Sequence, residues 1–153
     1  KKECIANRLG LQEVIPPKAI RPATTAVREV SLIVWKEGTI LVCQRPADAG
    51  RWASMWELPT TIEAEGESSL EAAVRLAGEC SLHVEIGDEV HRLQYGVTRF
   101  TVTLKAFECQ WMEGRDSGMS WFTPAQLASL PASTPQRRLF RRIADGRKEL
   151  RLF

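Results

Sequence analysis

The segment Val27-Arg28-Glu29-Val30-Ser31-Leu32-Ile33-Val34-Trp35 is rich in β-branched residues. Lys36-Glu37-Gly38-Thr39 supplies turn chemistry, and Ile40-Leu41-Val42-Cys43-Gln44 resumes the apolar run. Two such runs separated by a few turn formers define a β-hairpin, and the rest of the chain has to fold around it. Met55 to Leu58 reads as a short strand ended by Pro59, since proline donates no ladder hydrogen bond. Ser68-Ser69 can cap a helix from about Leu70 to Cys80, within which Leu70, Ala73, Val74 and Ala77 recur at helical spacing. Two short strands are expected at His83 to Ile86 and Val90 to Leu93. A third, Val97 to Phe107, is marked by the alternation of Val97, Phe100, Val102, Leu104 and Ala106. Trp121-Phe122 reads as a further strand. Thr123-Pro124 and Ser133-Thr134-Pro135 each open a helix, because Thr caps well and proline suits the first helical turn. The first of these runs through Leu130. The second, Gln136 to about Ala144, sets Leu139, Phe140 and Ile143 on one face and arginines on the other. Strands interleaved with two or three helices predict a mixed α/β fold.

With 153 residues and 44% apolar composition the chain suits one domain with a real core. No apolar run approaches the roughly 18 residues that span a bilayer, and no signal-peptide succession opens it, which predicts a soluble intracellular protein without membrane partners. Cys4, Cys43, Cys80 and Cys109 lack both zinc-site spacing and disulfide-scaffold density, so reduced thiols are expected. Charge is segregated: residues 1–28 hold six Lys/Arg against two Glu, residues 136–153 seven against two acids, and the stretch between them eight against fifteen. A domain gripping many phosphates by itself carries a broad basic face. Here any nucleic-acid contact should be local. Pro16-Pro17 and Pro22 mark an extended connector over residues 1–26, leaving 27–153 as the folded domain.

The stretch from Trp56-Glu57-Leu58-Pro59 through Gly66-Glu67-Ser68 to Glu71-Ala72-Ala73-Val74-Arg75 resembles a Nudix box, with Glu67 and Arg75 at the spacing of the family's first Glu and its Arg. The resemblance implies a Nudix-like α/β/α sandwich with a mixed sheet. The rest of the box departs from the pattern. Thr60-Thr61 stands where the family has paired glycines, Leu76 where Glu follows Arg, and Cys80 where the second metal-binding Glu belongs. A divalent cation on pyrophosphate needs several converging oxygen ligands, and Glu79 alone cannot supply them. Glu67 and Arg75 are then expected to form a loop–helix salt bridge, and the chain to have the fold without the hydrolysis.

Ile40-Leu41-Val42-Cys43-Gln44-Arg45-Pro46, with Arg51-Trp52-Ala53-Ser54-Met55-Trp56-Glu57-Leu58-Pro59, resembles a more particular group, the C-terminal domains of adenine DNA glycosylases of the MutY family. Trp121, Leu127, Leu130-Pro131 and Arg137-Arg138-Leu139 echo that family's closing pattern. Cys4-Ile5-Ala6, followed by Pro16-Pro17-Lys18, is similar to the end of its iron–sulfur loop and the interdomain connector. The resemblance implies base excision repair, with this domain recognising 8-oxoguanine opposite adenine in duplex DNA. A separate N-terminal catalytic domain flips out the adenine and cleaves its glycosidic bond. Cys4 would be the fourth 4Fe-4S ligand of the full-length protein only, since one thiolate cannot hold a cluster that takes four. No catalytic residue and no cofactor are expected in this chain by itself. If the source is bacterial, cytoplasm or nucleoid is implied.

In that family a Phe-Ser-His element on a hairpin meets the lesion, and the corresponding residues here are Val97-Thr98-Arg99. Oxidation at C8 turns the N7 acceptor into an N–H donor and adds an O8 acceptor, and the Thr98 hydroxyl can both accept and donate. Arg99 offers charged hydrogen bonds to phosphate, whereas Val97 can wedge but cannot stack. A second register sets Tyr95-Gly96-Val97 at the element, gaining an aromatic and losing the hydroxyl. Of the five tryptophans, Trp56 and Trp121 read as core, and Trp52 beside Arg51 as the loop candidate for stacking. Arg137, Arg138, Arg141 and Arg142 of the last helix are candidates for DNA backbone contact, and the connector is a candidate partner-binding segment. Two rival readings stand beside this one. The first is an Mg²⁺-dependent hydrolase of oxidised nucleotides drawing carboxylates from Glu63, Glu65, Glu67 and Glu79. The second is a protein-interaction module.

Overall fold

The computed structural model describes residues 23–114 and 118–150; Cys4 and the connector prolines lie outside them. The elements in chain order are β1 Thr25–Lys36, β2 Thr39–Gln44, β3 Trp56–Glu57, β4 Thr60–Ile62, α1 Ser69–Glu79, β5 Leu82–Val97, β6 Phe100–Gly114, β7 Met119–Phe122, α2 Pro124–Leu127 and α3 Thr134–Leu150. The mixed sheet runs β3-β2-β1-β6-β5, with β4 on β1 and β7 on β2. The β1–β2 hairpin is antiparallel, pairing Trp35 with Ile40. β1 and β6 run parallel, from Thr25 opposite Phe100 to Trp35 opposite Gln110.

Strand alternation sorts the core into two layers. Val30, Leu32 and Val34 of β1, Leu41 of β2, and Phe107 and Cys109 of β6 pack against Ala72, Ala73, Leu76 and Ala77 of α1. Ile33, Ile40, Val42, Leu104 and Ala106 face the other way, against Leu127 of α2 and Leu139, Phe140 and Ile143 of α3. The result is the expected α/β/α sandwich. Buried Gln136 ties α3 to the sheet by accepting from the Leu58 N–H at 3.2 Å.

Several local expectations differ from the structure: α2 stops at Leu127 and not at Leu130, and α3 runs past Ala144 to Leu150. On α1 the stripe facing the sheet is Ala72, Ala73, Leu76 and Ala77, whereas Leu70 and Val74 are more than half exposed. The small alanines let the helix lie close on the sheet with Leu76 buried among them, and that contact fixes the rotation of the helix more strongly than Leu70 and Val74 do. His83–Ile86 and Val90–Leu93 belong to one long edge strand, β5, with register shifts between Ile86 and Glu89 and between Glu89 and His91. Its largely exposed face blurs the apolar period. The alternating run Val97–Phe107 is divided by a turn, because Val97 ends β5 and Phe100 opens β6 as its direct cross-strand partner. Val97 and Phe100 are three residues apart, so the period of two that runs from Phe100 to Ala106 is broken at the two-residue turn, and the pair still shares one face as cross-strand partners.

Candidate functional site

The β5–β6 tip is Thr98-Arg99. Thr98 sits at φ +53°, a left-handed conformation that is unusual for a β-branched residue. The tip is held from below by the Thr25 N–H, which donates to the Arg99 carbonyl at 2.8 Å. Two pairs inward from Val97–Phe100 on β5, the Tyr95 hydroxyl donates to Glu29 Oε2 of β1 at 2.7 Å. Burial first, and then this bond, push the Tyr95 phenol above its ordinary value, so it stays protonated as a donor.

Facing the tip is the loop between β2 and β3, folded around Arg45. Its Nε donates to the Arg51 carbonyl at 3.0 Å, and its Nη1 to the two oxygens of Glu57 at 2.9 and 3.0 Å. The Gln44 amide donates to the Ser54 carbonyl at 2.9 Å. Burial raises the Glu57 carboxyl above its ordinary value, while Arg45 draws it back down. So braced, the loop holds Trp52 at φ +55° and Ser54 at φ +60°, backbone strain of the kind that gathers at binding sites.

Tip, loop and the start of α3 enclose a cavity of about 570 Å³ lined by Trp52, Tyr95, Val97, Thr98, Pro135 and Arg138, among others. Tyr95, Gly96, Val97 and Thr98 therefore open onto the same space, while Arg99 does not line it. Trp52 also lines a second cavity of about 670 Å³ with Glu29, Arg45, Arg51, Thr60 and Thr61. The Arg51 guanidinium lies 5.4 Å from the Trp52 ring and 6.0 Å from Phe100, and the Arg99 guanidinium 5.5 Å from Phe100. Of the other candidates, Arg137 is turned away, its Nη2 donating to the Ala132 carbonyl at 3.1 Å. Arg142 likewise donates to the Arg92 carbonyl at 3.1 Å. Arg141 is exposed and does not line this cavity. Trp56 and Trp121 pack against the core from its margins.

Sequence reasoning passed over the Arg45–Glu57 pair, the Tyr95–Glu29 bond and Phe100. A charged Glu57 inside an apolar strand is a signal that a partner is needed. The tertiary approach of Phe100 to Arg51 leaves no such trace.

At the box, Arg75 is the hub. Its Nε and Nη2 donate to both oxygens of Glu67 at 2.8 and 2.9 Å, its Nη1 to Glu79 at 2.8 Å, and its Nη2 also to the Ile62 carbonyl. Hydrogen bonds from Arg75, then from the Ala64 N–H, hold the Glu67 carboxyl down to about 2. Glu63 is engaged by Arg28 and Ser69. Leu76 is buried in the core. Burial, then Glu79, raise the Cys80 thiol, which keeps it in its neutral form. No three His, Cys, Asp or Glu side chains converge among the described residues. Of the four carboxylates that could bind a divalent cation, Glu63, Glu67 and Glu79 are engaged by arginines, and the donor set of the box does not fit one. Nor do the described cysteines suit an iron–sulfur cluster: burial pushes Cys43 and Cys109 up to about 12.

A model of the NUDIX domain family matches residues 30–142. Among solved structures, a MutT protein from Methanosarcina mazei superposes with a TM-score of 0.68 at 19% identity, covering 82% of this chain and 97% of that one. The E. coli ORF135 protein gives 0.63 at 23% identity, covering 77% and 88%. The C-terminal domain of mouse MUTYH, solved in complex with human PCNA, gives 0.61 at 19% identity, covering 80% and 90%. No curated protein sequence matches the chain. No helix among the described residues is long and apolar enough to cross a membrane.

Proposed function

Because the chain belongs to the Nudix domain family, its fold admits both lesion readers and hydrolases, and we propose that it is the 8-oxoguanine-reading domain of an adenine DNA glycosylase. The observation that carries this reading is the convergence of Thr98, Trp52 and Arg138, from three distant segments, on one cavity. The Thr98 hydroxyl supplies the two-way hydrogen bonding that the oxidised base edge calls for. Trp52 supplies a stacking face, and Arg138 a cation at the rim. The likeness to the MUTYH domain and the Arg75-bound carboxylates of the box support it further. In this reading residues 1–26 lead from the catalytic domain, and Cys4 completes that domain's cluster. The chain itself binds without catalysing.

The test is an NMR titration with matched duplexes containing 8-oxoguanine:A or G:A. Amide shifts at residues 95–100 and at the Trp52 indole should depend on the lesion, and Thr98→Val should erase that dependence. Equal shifts with both duplexes would refute the reading.

The second cavity, with Arg45 and Arg51 over Thr60-Thr61, together with the likeness to MutT proteins, favours hydrolysis of an oxidised nucleoside triphosphate as the rival. Mg²⁺-dependent pyrophosphate release above a Glu79→Gln control would establish it.

A further inference from the structure

Most arginines of this domain are occupied. Arg28, Arg45, Arg75 and Arg92 each hold a carboxylate. Arg51 and Arg99 differ: neither makes a side-chain hydrogen bond or ion pair to a described residue, and both contact aromatic rings. They share one ring. The Arg51 guanidinium lies near both Trp52 and Phe100, and that of Arg99 near the same Phe100, so the two guanidinium carbons are no farther apart than the sum of 6.0 and 5.5 Å.

Two cations gathered around one ring raise the local positive potential, which attracts an anion. With no carboxylate on either, each guanidinium has its fork of N–H donors available for bidentate capture of phosphate. The two cations also belong to different segments. Arg51 rides on the loop braced by Arg45, and Arg99 on the β5–β6 tip tied to Thr25.

We propose that Arg51 and Arg99, aligned by the ring of Phe100, form a two-jawed clip for successive phosphodiesters of one DNA strand. This rests on the DNA-reading function above and deepens it. The clip reads no sequence; it docks the strand across both segments that bound the lesion cavity and sets the register in which Thr98 meets the base.

The experiment is fluorescence anisotropy of the chain with 8-oxoguanine:A and G:A duplexes across a salt series. Arg51→Ala and Arg99→Ala should each weaken both duplexes about equally, on the order of tenfold. Each should also flatten the slope of log K against log salt by about 0.9. Phe100→Leu retains both charges and should keep the slope while lowering affinity. In its background Arg51→Ala should cost less than in the parent, a coupling that merely structural arginines would not show.

An unchanged salt slope in Arg51→Ala, or strict additivity with Phe100→Leu, overturns the clip. The lesion-reading function would still stand if Thr98→Val abolished discrimination. Loss of that discrimination effect with the slopes behaving as stated would do the reverse, leaving a clip on a domain that reads no lesion. If 8-oxo-dGTP bound in an Arg51-dependent way and duplex DNA failed to displace it, the phosphates would be those of a free nucleotide and the proposal of a DNA clip would fail.

Discussion

Replacing Arg45 with Met leaves the stem of the side chain in place and removes a guanidinium that ties three backbone segments together. What is lost is the bond to the Arg51 carbonyl at 3.0 Å and the pair of contacts to Glu57 at 2.9 and 3.0 Å. Glu57 stays behind as a carboxylate only 17% exposed, without its cation. Breaking a fully buried pair costs several kcal/mol; with Arg45 itself 32% exposed, about 2 kcal/mol is the appropriate figure. For a domain of this size that lowers Tm by about 4–8 °C.

The loss should depend on pH, with a definite sign. The Glu57 carboxyl is already raised in the folded protein by burial. Without Arg45 it rises further, so the folded state takes up a proton that the unfolded state takes up only at lower pH. The deficit of the variant is then fully present near neutral pH and shrinks as pH falls through the raised value toward the ordinary carboxylate range. Urea denaturation from pH 7 to about pH 5 measures this, with Arg45→Met/Glu57→Gln as the control that removes the stranded charge and should recover much of the loss. A deficit that neither varies with pH nor responds to Glu57→Gln would refute the assignment of Arg45 as the brace of this loop.

Thr98→Asn should raise stability by about 1 kcal/mol in urea melts, since Asn tolerates the left-handed conformation that strains Thr; a loss of stability would mean that the tip carries no such strain. Phe140 is fully buried between α3 and the sheet, and Phe140→Ala should cost about 3–5 kcal/mol by chemical denaturation. Glu67, held down to about 2 by Arg75, contributes stability that is present above the ordinary carboxylate range and lost as pH falls toward that value. Glu67→Gln should therefore flatten the acid limb of a stability–pH curve while leaving its alkaline side unchanged in shape.

The layered fold was legible because its signals are local: β-branched runs, a Gly38 turn, capping residues at Ser68 and Thr123, and the Leu139-Phe140-Ile143 face of α3. The Glu67–Arg75 bridge was legible from spacing, as the two residues lie just before the helix cap and nearly two turns into the helix. What escaped was set by tertiary contact. The phase of α1 was decided by alanines against the sheet. The tip at Thr98-Arg99 was hidden because Val97 reads as part of the Phe100–Ala106 alternation, although the odd spacing from Val97 to Phe100 already breaks that period at the turn. The site was half legible. Trp52, Thr98 and Arg138 could each be named, but their meeting in one cavity depends on the β2–β3 loop and the start of α3 approaching the same hairpin, and no periodicity encodes that.

The parallel register of β1 and β6 bears on how the chain is made. Thr25 waits for Phe100 and Trp35 for Gln110, so the partner of the central strand leaves the ribosome roughly 4–15 s after the strand itself at ~5–20 residues per second. Through that interval β1 can pair with β2 and β4, but its other edge, flanked by Leu32, Ile33 and Val34, stays open to whatever strand arrives first. Nascent chains stalled short of β6 should accordingly be the aggregation-prone species of this protein, and release of the full chain the moment at which that edge closes.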